Sequence, residues 1–227
     1  MDTKINVNNE SKKSVRVFIV DDHPFLREGL AMLISREPDL MICGESDNAD
    51  DALKSIESLM PDVAIVDLSL QGRSGLHLIK DVTRKFPEMP TLVLSMLDEM
   101  VYAERALRAG ARGYIMKQEA TKKVITAIRD VTSGKLFVNP TVTSKIMHRL
   151  VSDGNIKHSC SIDLLSDREL ETFKLTGNGL STQQISKKMK VGVKTIETYR
   201  ARIKSKLKFT SSEELLQYSI QWVSREG

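Results

Sequence analysis

Five polar residues of this 227-residue chain share one position: each stands just beyond a short apolar run. Asp21 and Asp22 follow Val15–Val20, Asp67 follows Val63–Val66, Ser95 follows 91–94, and Lys117 follows Gly113–Met116. In an open α/β sheet the functional crevice lies outside the carboxyl ends of the strands, so three carboxylates, a hydroxyl and an ammonium converge on one edge. Oxygens from Asp22 and Asp67, with a backbone carbonyl such as that of Ser69 and several waters, suit octahedral Mg2+. Such an ion neutralises an incoming phosphoryl group, and Asp67 can attack phosphorus in line to form an aspartyl phosphate. Ser95 and Lys117 would each take one phosphoryl oxygen. These contacts exist only while the phosphate is present, which describes a switch rather than a turnover site. Taken singly, an acidic pair after a strand is often a helix cap and a lone lysine is usually solvated. Coincidence at the ends of four strands argues against that bland reading.

The convergence requires the runs to be strands. They are too short for helices and mostly continuous in polarity, as strands buried on both faces of a parallel sheet are. A further run covers 40–43, and helical patterns occupy 24–36, 49–59, 74–85, 99–109 and 120–133. Five strand-helix repeats predict a doubly wound, flavodoxin-like α/β domain with a five-stranded parallel sheet. Pro140–Val151 reads as one more helix, and residues 152–161 have the small, polar composition of a linker. Beyond it Ser166, Ser181 and Ser211 each precede a Glu or Gln by three residues, the pattern of a capping box. They mark the starts of three of four expected helices, at 166–176, 181–189, 193–207 and 211–223, an all-α four-helix domain. The expected boundaries are 15–135 for the first domain, 136–162 for a linker including a helix, and 163–227 for the second domain.

Composition narrows the class. Hydrophobic residues make up 41% of the chain, enough for real cores, but no run approaches the roughly 18 apolar residues of a membrane span. Residues 1–13 are polar and lack a signal-peptide core, so the expected location is the cytoplasm, away from membranes. Cys43 and Cys160 are isolated, which offers neither a disulfide framework nor a CxxC pair and makes zinc unlikely on spacing alone. His23 and His77 are read as surface or capping residues, and His148 and His158 fall in or near the linker. Charge is asymmetric: residues 157–227 carry 13 Lys and Arg against 8 Asp and Glu, whereas residues 1–156 carry 21 against 22. Between Lys187 and Lys208 nine basic residues face the single Glu197, either a solvated helix face or a footprint for phosphate backbones.

That basic segment reads helix, short turn, helix. Ile185 and Met189 give the first helix an apolar face, Val191 and Gly192 form the turn, and Ile196, Ile203 and Leu207 give the second its own. Two short helices joined by about three residues including Gly are the signature of a DNA-binding helix-turn-helix. The polar side of the second helix carries Lys194, Glu197, Thr198, Ala201, Arg202 and Lys204, with early residues toward base edges and outlying cations on phosphates. In the last helix Leu215, Leu216, Tyr218, Ile220 and Trp222 exceed one packing stripe. They are core, or in part an isologous dimer contact that would set two recognition helices about 34 Å apart.

The stretches VDDHPFLREGL (20–30), VDLSLQGRSGL (66–76), LVLSM (92–96) and GYIMK (113–117) resemble the receiver domain of two-component response regulators. The resemblance implies Asp67 as phospho-acceptor, Asp21 and Asp22 as Mg2+-site acids with Asp67 and Ser69, Ser95 as the switch hydroxyl, and Lys117 as the phosphate-pairing lysine. It also puts Tyr114 at the aromatic position that changes rotamer. Gln71 departs from the usual proline and removes no ligand. LLSDREL (164–170), GLSTQQIS (179–186) and KTIETYRARIKSKL (194–207) resemble the NarL/FixJ, or LuxR-type, helix-turn-helix. By that likeness Lys194, Thr195, Glu197, Thr198 and Ala201 belong to the DNA-reading set, and Arg200, Lys204 and Lys208 are phosphate candidates. Tyr199 replaces a frequent histidine, and Gly192 replaces the usual serine cap.

The expectation is a phosphorylation-dependent DNA-binding regulator, with a sensor histidine kinase, Mg2+ and double-stranded operator DNA as partners and a homodimer as the phosphorylated form. The resting receiver would shield the recognition helix or the dimer surface. A phosphohydrolase is the enzymatic alternative, but it would want a second acid at position 69, which is serine, and the chain has neither a P-loop nor GxGxxG. A regulator free of phosphate control is the third reading, against which stands the intact set Asp22, Asp67, Ser95 and Lys117.

Overall fold

A computed structural model describes residues 14–70, 73–151 and 161–226, so Gln71, His158, Cys160 and the rest of 152–160 in the expected linker lie outside the described residues. Strands β1 (Val15–Val20), β2 (Leu40–Ser46), β3 (Val63–Val66), β4 (Thr91–Ser95) and β5 (Gly113–Met116) form one parallel sheet in the order β2-β1-β3-β4-β5. Helices α1 (Pro24–Ile34), α2 (Ala49–Leu59), α3 (Gly75–Lys85), α4 (Glu99–Ala109) and α5 (Ala120–Thr132) follow the strands in turn. β2 runs three residues past the apolar run 40–43, because a register shift opposite Val17 and Phe18 lets Gly44, Glu45 and Ser46 stay in the ladder.

The alternation of a strand decides the two cores. Val17, Ile19, Ile65, Leu92 and Leu94 face α1 and α5 with Leu30, Ile34, Val124 and Ile128. Phe18, Val20, Ala64, Val66 and Val93 face the other helix layer with Ile56, Ile79, Val82 and Ala106. Strand order reverses between β1 and β3, whose register pairs Val20 with Val66 and so sets Asp21 beside Asp67. The chain after β3 must fold back tightly to start α3. A Cβ on Gly75 would lie 2.0 Å from the Asp67 carbonyl oxygen, so only glycine fits that approach.

After α5, Phe137 bridges to Gly113 and accepts the Tyr114 N–H at 2.8 Å, covering the β5 edge. The next helix, α6 (Pro140–Val151), packs on α4 with Val142 buried. A short 3-10 turn (Ser161–Leu164) then leads to α7 (Asp167–Gly177), α8 (Thr182–Met189), α9 (Val193–Leu207) and α10 (Ser212–Glu226). Ser166 and Ser181 form complete capping boxes with Glu169 and Gln184, each cap worth about 1 kcal/mol. The third box differs by one residue. Ser211 accepts the Glu214 N–H at 3.1 Å, but the Glu214 carboxylate takes the N–H of Thr210 at 2.6 Å. Phe173 packs against Tyr218 and Trp222, which joins α7 to α10. Among the described residues no helix is long and apolar enough to cross a membrane.

Candidate functional site

The sheet edge gathers the predicted residues. Asp21 and Asp67 are buried, at 2% and 1% exposure, and the Lys117 ammonium lies 2.7 Å from Asp21 Oδ2 and 2.7 Å from Asp67 Oδ2. Burial alone would lower the lysine pKa; hydrogen bonds and charge from the two carboxylates outweigh it and raise it. Asp67 Oδ1 accepts the backbone N–H of Ser69 at 3.1 Å. Asp22 Oδ1 is buried with no hydrogen-bond partner, although His23 Nδ1 lies 2.8 Å away in poor bonding geometry. One ligand atom from each of Asp21, Asp22, His23 and Asp67 falls within 4.8 Å of the others, an acidic cluster that could hold a metal ion. The unpartnered Asp22 oxygen and the all-carboxylate core of the donor set fit a hard cation.

Sequence reading left His23 as a surface or capping residue. It occupies the N-cap position of α1, but its ring makes no cap bond and turns to the acids instead, 3.0 Å from Asp21 Oδ1. Arg27, one turn into α1, donates to the Asp21 carbonyl at 2.6 Å. Neither had a motif to announce it.

Ser95 is fully buried at the end of β4, and its hydroxyl accepts the N–H of Leu97 at 3.3 Å. Tyr114 is turned inward, 2% exposed, with its hydroxyl donating to the Leu97 carbonyl at 2.7 Å. Burial pushes its pKa up strongly against the opposing hydrogen bond to Ser95. Ser95 and Tyr114 thus hold the same residue of the β4–α4 loop, one at its N–H and one at its carbonyl.

The sequence matches the response regulator receiver domain family over residues 17–129 and the luxR family of bacterial regulatory proteins over residues 163–219. The oxygen regulatory protein NreC of Staphylococcus aureus is 32% identical over 211 residues, spanning 91% of this chain and 97% of that protein. The chain belongs to the response regulators with a LuxR-type DNA-binding domain. Among solved structures this regulator is similar to RcsB of Salmonella enterica serovar Typhimurium bound to a promoter in the presence of a phosphomimetic, with 25% identity, 91% and 98% of the chains covered and a TM-score of 0.66. A LuxR-family response regulator from Aurantimonas is 28% identical, covers 62% of this chain and all of its own, and has a TM-score of 0.57.

In this regulator's second domain the turn between α8 and α9 is made by Lys190 in the left-handed conformation, Val191 and Gly192. Ser186 closes it by donating to the Val191 carbonyl at 2.6 Å. Gly192 caps α9 through its backbone conformation alone. Ile196, Ile203 and Leu207 turn inward, so Lys194, Glu197, Thr198, Ala201 and Arg202 lie exposed on the opposite side, as does Lys208 at the C-cap. Thr195 is half-buried. Arg200 donates to Thr182 Oγ1 at 3.1 Å and Lys204 to Ser212 Oγ at 3.4 Å, which anchors both at the flanks of the helix. In α10 Leu215 is fully buried, whereas Leu216 and Ile220 are 38% and 44% exposed. Of the two surfaces that a resting receiver is expected to shield, the recognition helix or a dimer surface, the side of α9 with Lys194, Glu197, Thr198 and Ala201 is exposed.

Proposed function

We propose that Asp67 is the phospho-acceptor of a Mg2+-dependent switch that controls operator binding by residues 163–227. The observation that carries this reading is the buried Asp67 carboxylate, 2.7 Å from Lys117 and grouped with Asp21, Asp22 and His23 so that one ligand atom of each lies within 4.8 Å of the others. Asp21, Asp22 and Asp67, with the Ser69 carbonyl, would hold Mg2+. When bound, it would offset the negative charge of the carboxylates and of the incoming phosphoryl group.

In the transfer, one Asp67 oxygen attacks phosphorus in line as the N–P bond of a kinase phosphohistidine breaks. The imidazole leaves with the bonding pair. Lys117 already holds Asp67 and has only to exchange part of that contact for a phosphoryl oxygen. Ser95 takes another by giving up the Leu97 N–H, and Tyr114, tied to the Leu97 carbonyl, would move with that loop. Pro24, Phe25 and Met96 border the acceptor as an apolar rim, with Phe25 90% exposed, and offer the kinase a docking surface.

On α9, Lys194, Thr195, Glu197, Thr198 and Ala201 would meet base edges, and Arg200, Lys204 and Lys208 phosphates. Leu216 and Ile220 supply an apolar strip for a homodimer, the form seen for RcsB, two dimers of which bind two parallel DNAs. The protein acts in the cytoplasm, with a receiver at 15–135, a linker at 136–162 and no catalytic turnover of its own. Intact mass after incubation with acetyl phosphate and Mg2+, beside Asp67→Asn, tests the acceptor. A gain of one phosphoryl group confined to the wild type supports it, and an equal gain in the variant removes it.

A further inference from the structure

Two of the acids at the sheet edge have a nitrogen against them that phosphoryl transfer does not use. His23 Nδ1 lies 3.0 Å from Asp21 Oδ1 and 2.8 Å from Asp22 Oδ1. The local backbone puts it there. Pro24 opens α1 and restricts the residue before it to extended backbone, and at φ −96° and ψ 105° His23 leaves its cap role unfilled and turns its ring back over the acids. The backbone N–H of His23 also donates to Asp21 Oδ1 at 2.8 Å, which pins ring and carboxylate to one short loop.

The Asp22 contact is not a hydrogen bond. Asp22 Oδ1 is buried without a hydrogen-bond partner, so nitrogen and oxygen face each other at 2.8 Å with no proton aligned between them. A cation resolves such a contact. Neighbouring ligands of an octahedral ion, each about 2.1 Å from it, stand about 3.0 Å apart, close to both separations of His23 Nδ1. Lys117 engages the other oxygens, Asp21 Oδ2 and Asp67 Oδ2, and leaves Asp21 Oδ1 to this side. Asp22, His23 and Lys117 also line one surface cavity of about 670 Å³, which gives ions a way in.

The donor set decides which ion gains. Mg2+ is bound through oxygen and keeps its waters, whereas Zn2+ takes imidazole nitrogen and carboxylate oxygen at nearly the same distance, about 2.0 to 2.2 Å. The isolated cysteines offer no zinc site, but three carboxylates and one imidazole make one without sulfur. We infer that His23 is a nitrogen ligand of the acceptor site, through which the site takes Zn2+, and borderline divalent cations like it, in preference to Mg2+. The inference rests on the reading of Asp21, Asp22 and Asp67 as a cation site and adds the residue that selects the ion. Zn2+ and Mg2+ then compete for the carboxylates that phosphoryl transfer needs, so the ion present sets how readily Asp67 accepts.

The test is equilibrium dialysis of the full chain against Zn2+ alone and against Mg2+ alone, comparing wild type, His23→Ala and Asp22→Asn. Wild type is expected to bind Zn2+ more tightly than Mg2+. His23→Ala is expected to lower the ratio of Zn2+ to Mg2+ affinity by on the order of tenfold or more, and Asp22→Asn to weaken both ions. His23 is largely exposed and its ring makes no cap bond, so His23→Ala keeps the fold, which a thermal melt checks. Nitrogen NMR of the histidine rings reads the contact itself: the signal missing from His23→Ala is the one that Zn2+ shifts in the wild type. An affinity ratio unchanged in His23→Ala, or Zn2+ binding unchanged in Asp22→Asn, overturns the inference, while Mg2+ binding decides the cation site separately. A wild type that binds neither ion removes both.

Discussion

The Lys117 ammonium lies 2.7 Å from the buried Asp67 carboxylate, so the charge of the proposed acceptor is offset by a residue that arrives 50 positions later. Lys117→Met would leave Asp67 and Asp21 facing each other underground without a counter-charge. Breaking such a pair costs about 3 kcal/mol, and Mg2+ should restore more stability to the variant than to the wild type. Thermal melts across a Mg2+ titration measure both effects, and a variant whose melting temperature ignores Mg2+ would separate the cluster from metal binding.

Gly75→Ala is expected to destabilise the receiver by about 2 to 3 kcal/mol, because the added methyl meets backbone rather than a movable side chain. Urea unfolding checks it. The same change at Gly134, where nothing lies within 4 Å but φ is +85°, is expected to cost less, through the strained backbone alone.

The contact of α7 with the receiver helices α3 and α4, where Asp167 pairs with Lys80 at 2.7 Å and Arg105 at 3.2 Å, should weaken on mild acidification. His77 is half-buried there, and its Nδ1 has no hydrogen-bond partner. Burial first, then the nearby charges of Arg168, Lys80 and Arg73, hold its pKa below 6.5, against the smaller opposing pull of Asp167. Glu171, Lys174 and Lys188 line the same cavity of about 220 Å³ as His77. A pKa depressed in the packed state means the separated state binds the proton more tightly. The stability this group supports is therefore complete above about 6.5 and is lost as pH falls from there through the depressed value. Asp167 works in the same direction at lower pH: burial would raise its pKa, but Lys80 and Arg105 hold it down. Scattering between pH 7.5 and 5.5 should show the radius rising in the wild type and staying flatter in His77→Gln.

On DNA, two substitutions should separate positioning from reading. Lys208→Ala is expected to weaken binding to all sequences alike and to reduce the slope of log K against log salt by about 1. Lys194→Ala, at the exposed start of α9, is expected to change the ranking of sites by about 1 to 3 kcal/mol instead. Anisotropy titrations at several salt concentrations distinguish the two, and identical profiles would contradict the proposed orientation of α9.

Much of this arrangement was legible in sequence because it depends on local patterns. Continuous apolar runs marked the strands, polar residues at their ends marked the crevice, and Ser166 and Ser181 marked the helix starts. What escaped was non-local. Nothing near Gly75 in sequence tells that Asp67 will press on it, and His23 resembles any residue at a helix start until the acids beside it are seen folded together. Asp167 looked like part of a capping sequence, which it is, yet its carboxylate is spent on Lys80 and Arg105, 87 and 62 residues away. β2 outran its apolar signal because ladder hydrogen bonds held a polar tail. The polar side of α9 was legible, but that the receiver leaves it uncovered was not, since domain orientation is set by the sum of such distant pairs.

The most direct measurement of the central claim is DNA affinity before and after phosphorylation, with sites selected from random fragments and then titrated with wild type and Asp67→Asn in the presence of Mg2+ and acetyl phosphate. The account predicts that phosphodonor tightens binding and promotes dimers in the wild type alone. Equal affinity with and without phosphodonor, in a sample whose mass shows Asp67 occupied, would contradict it.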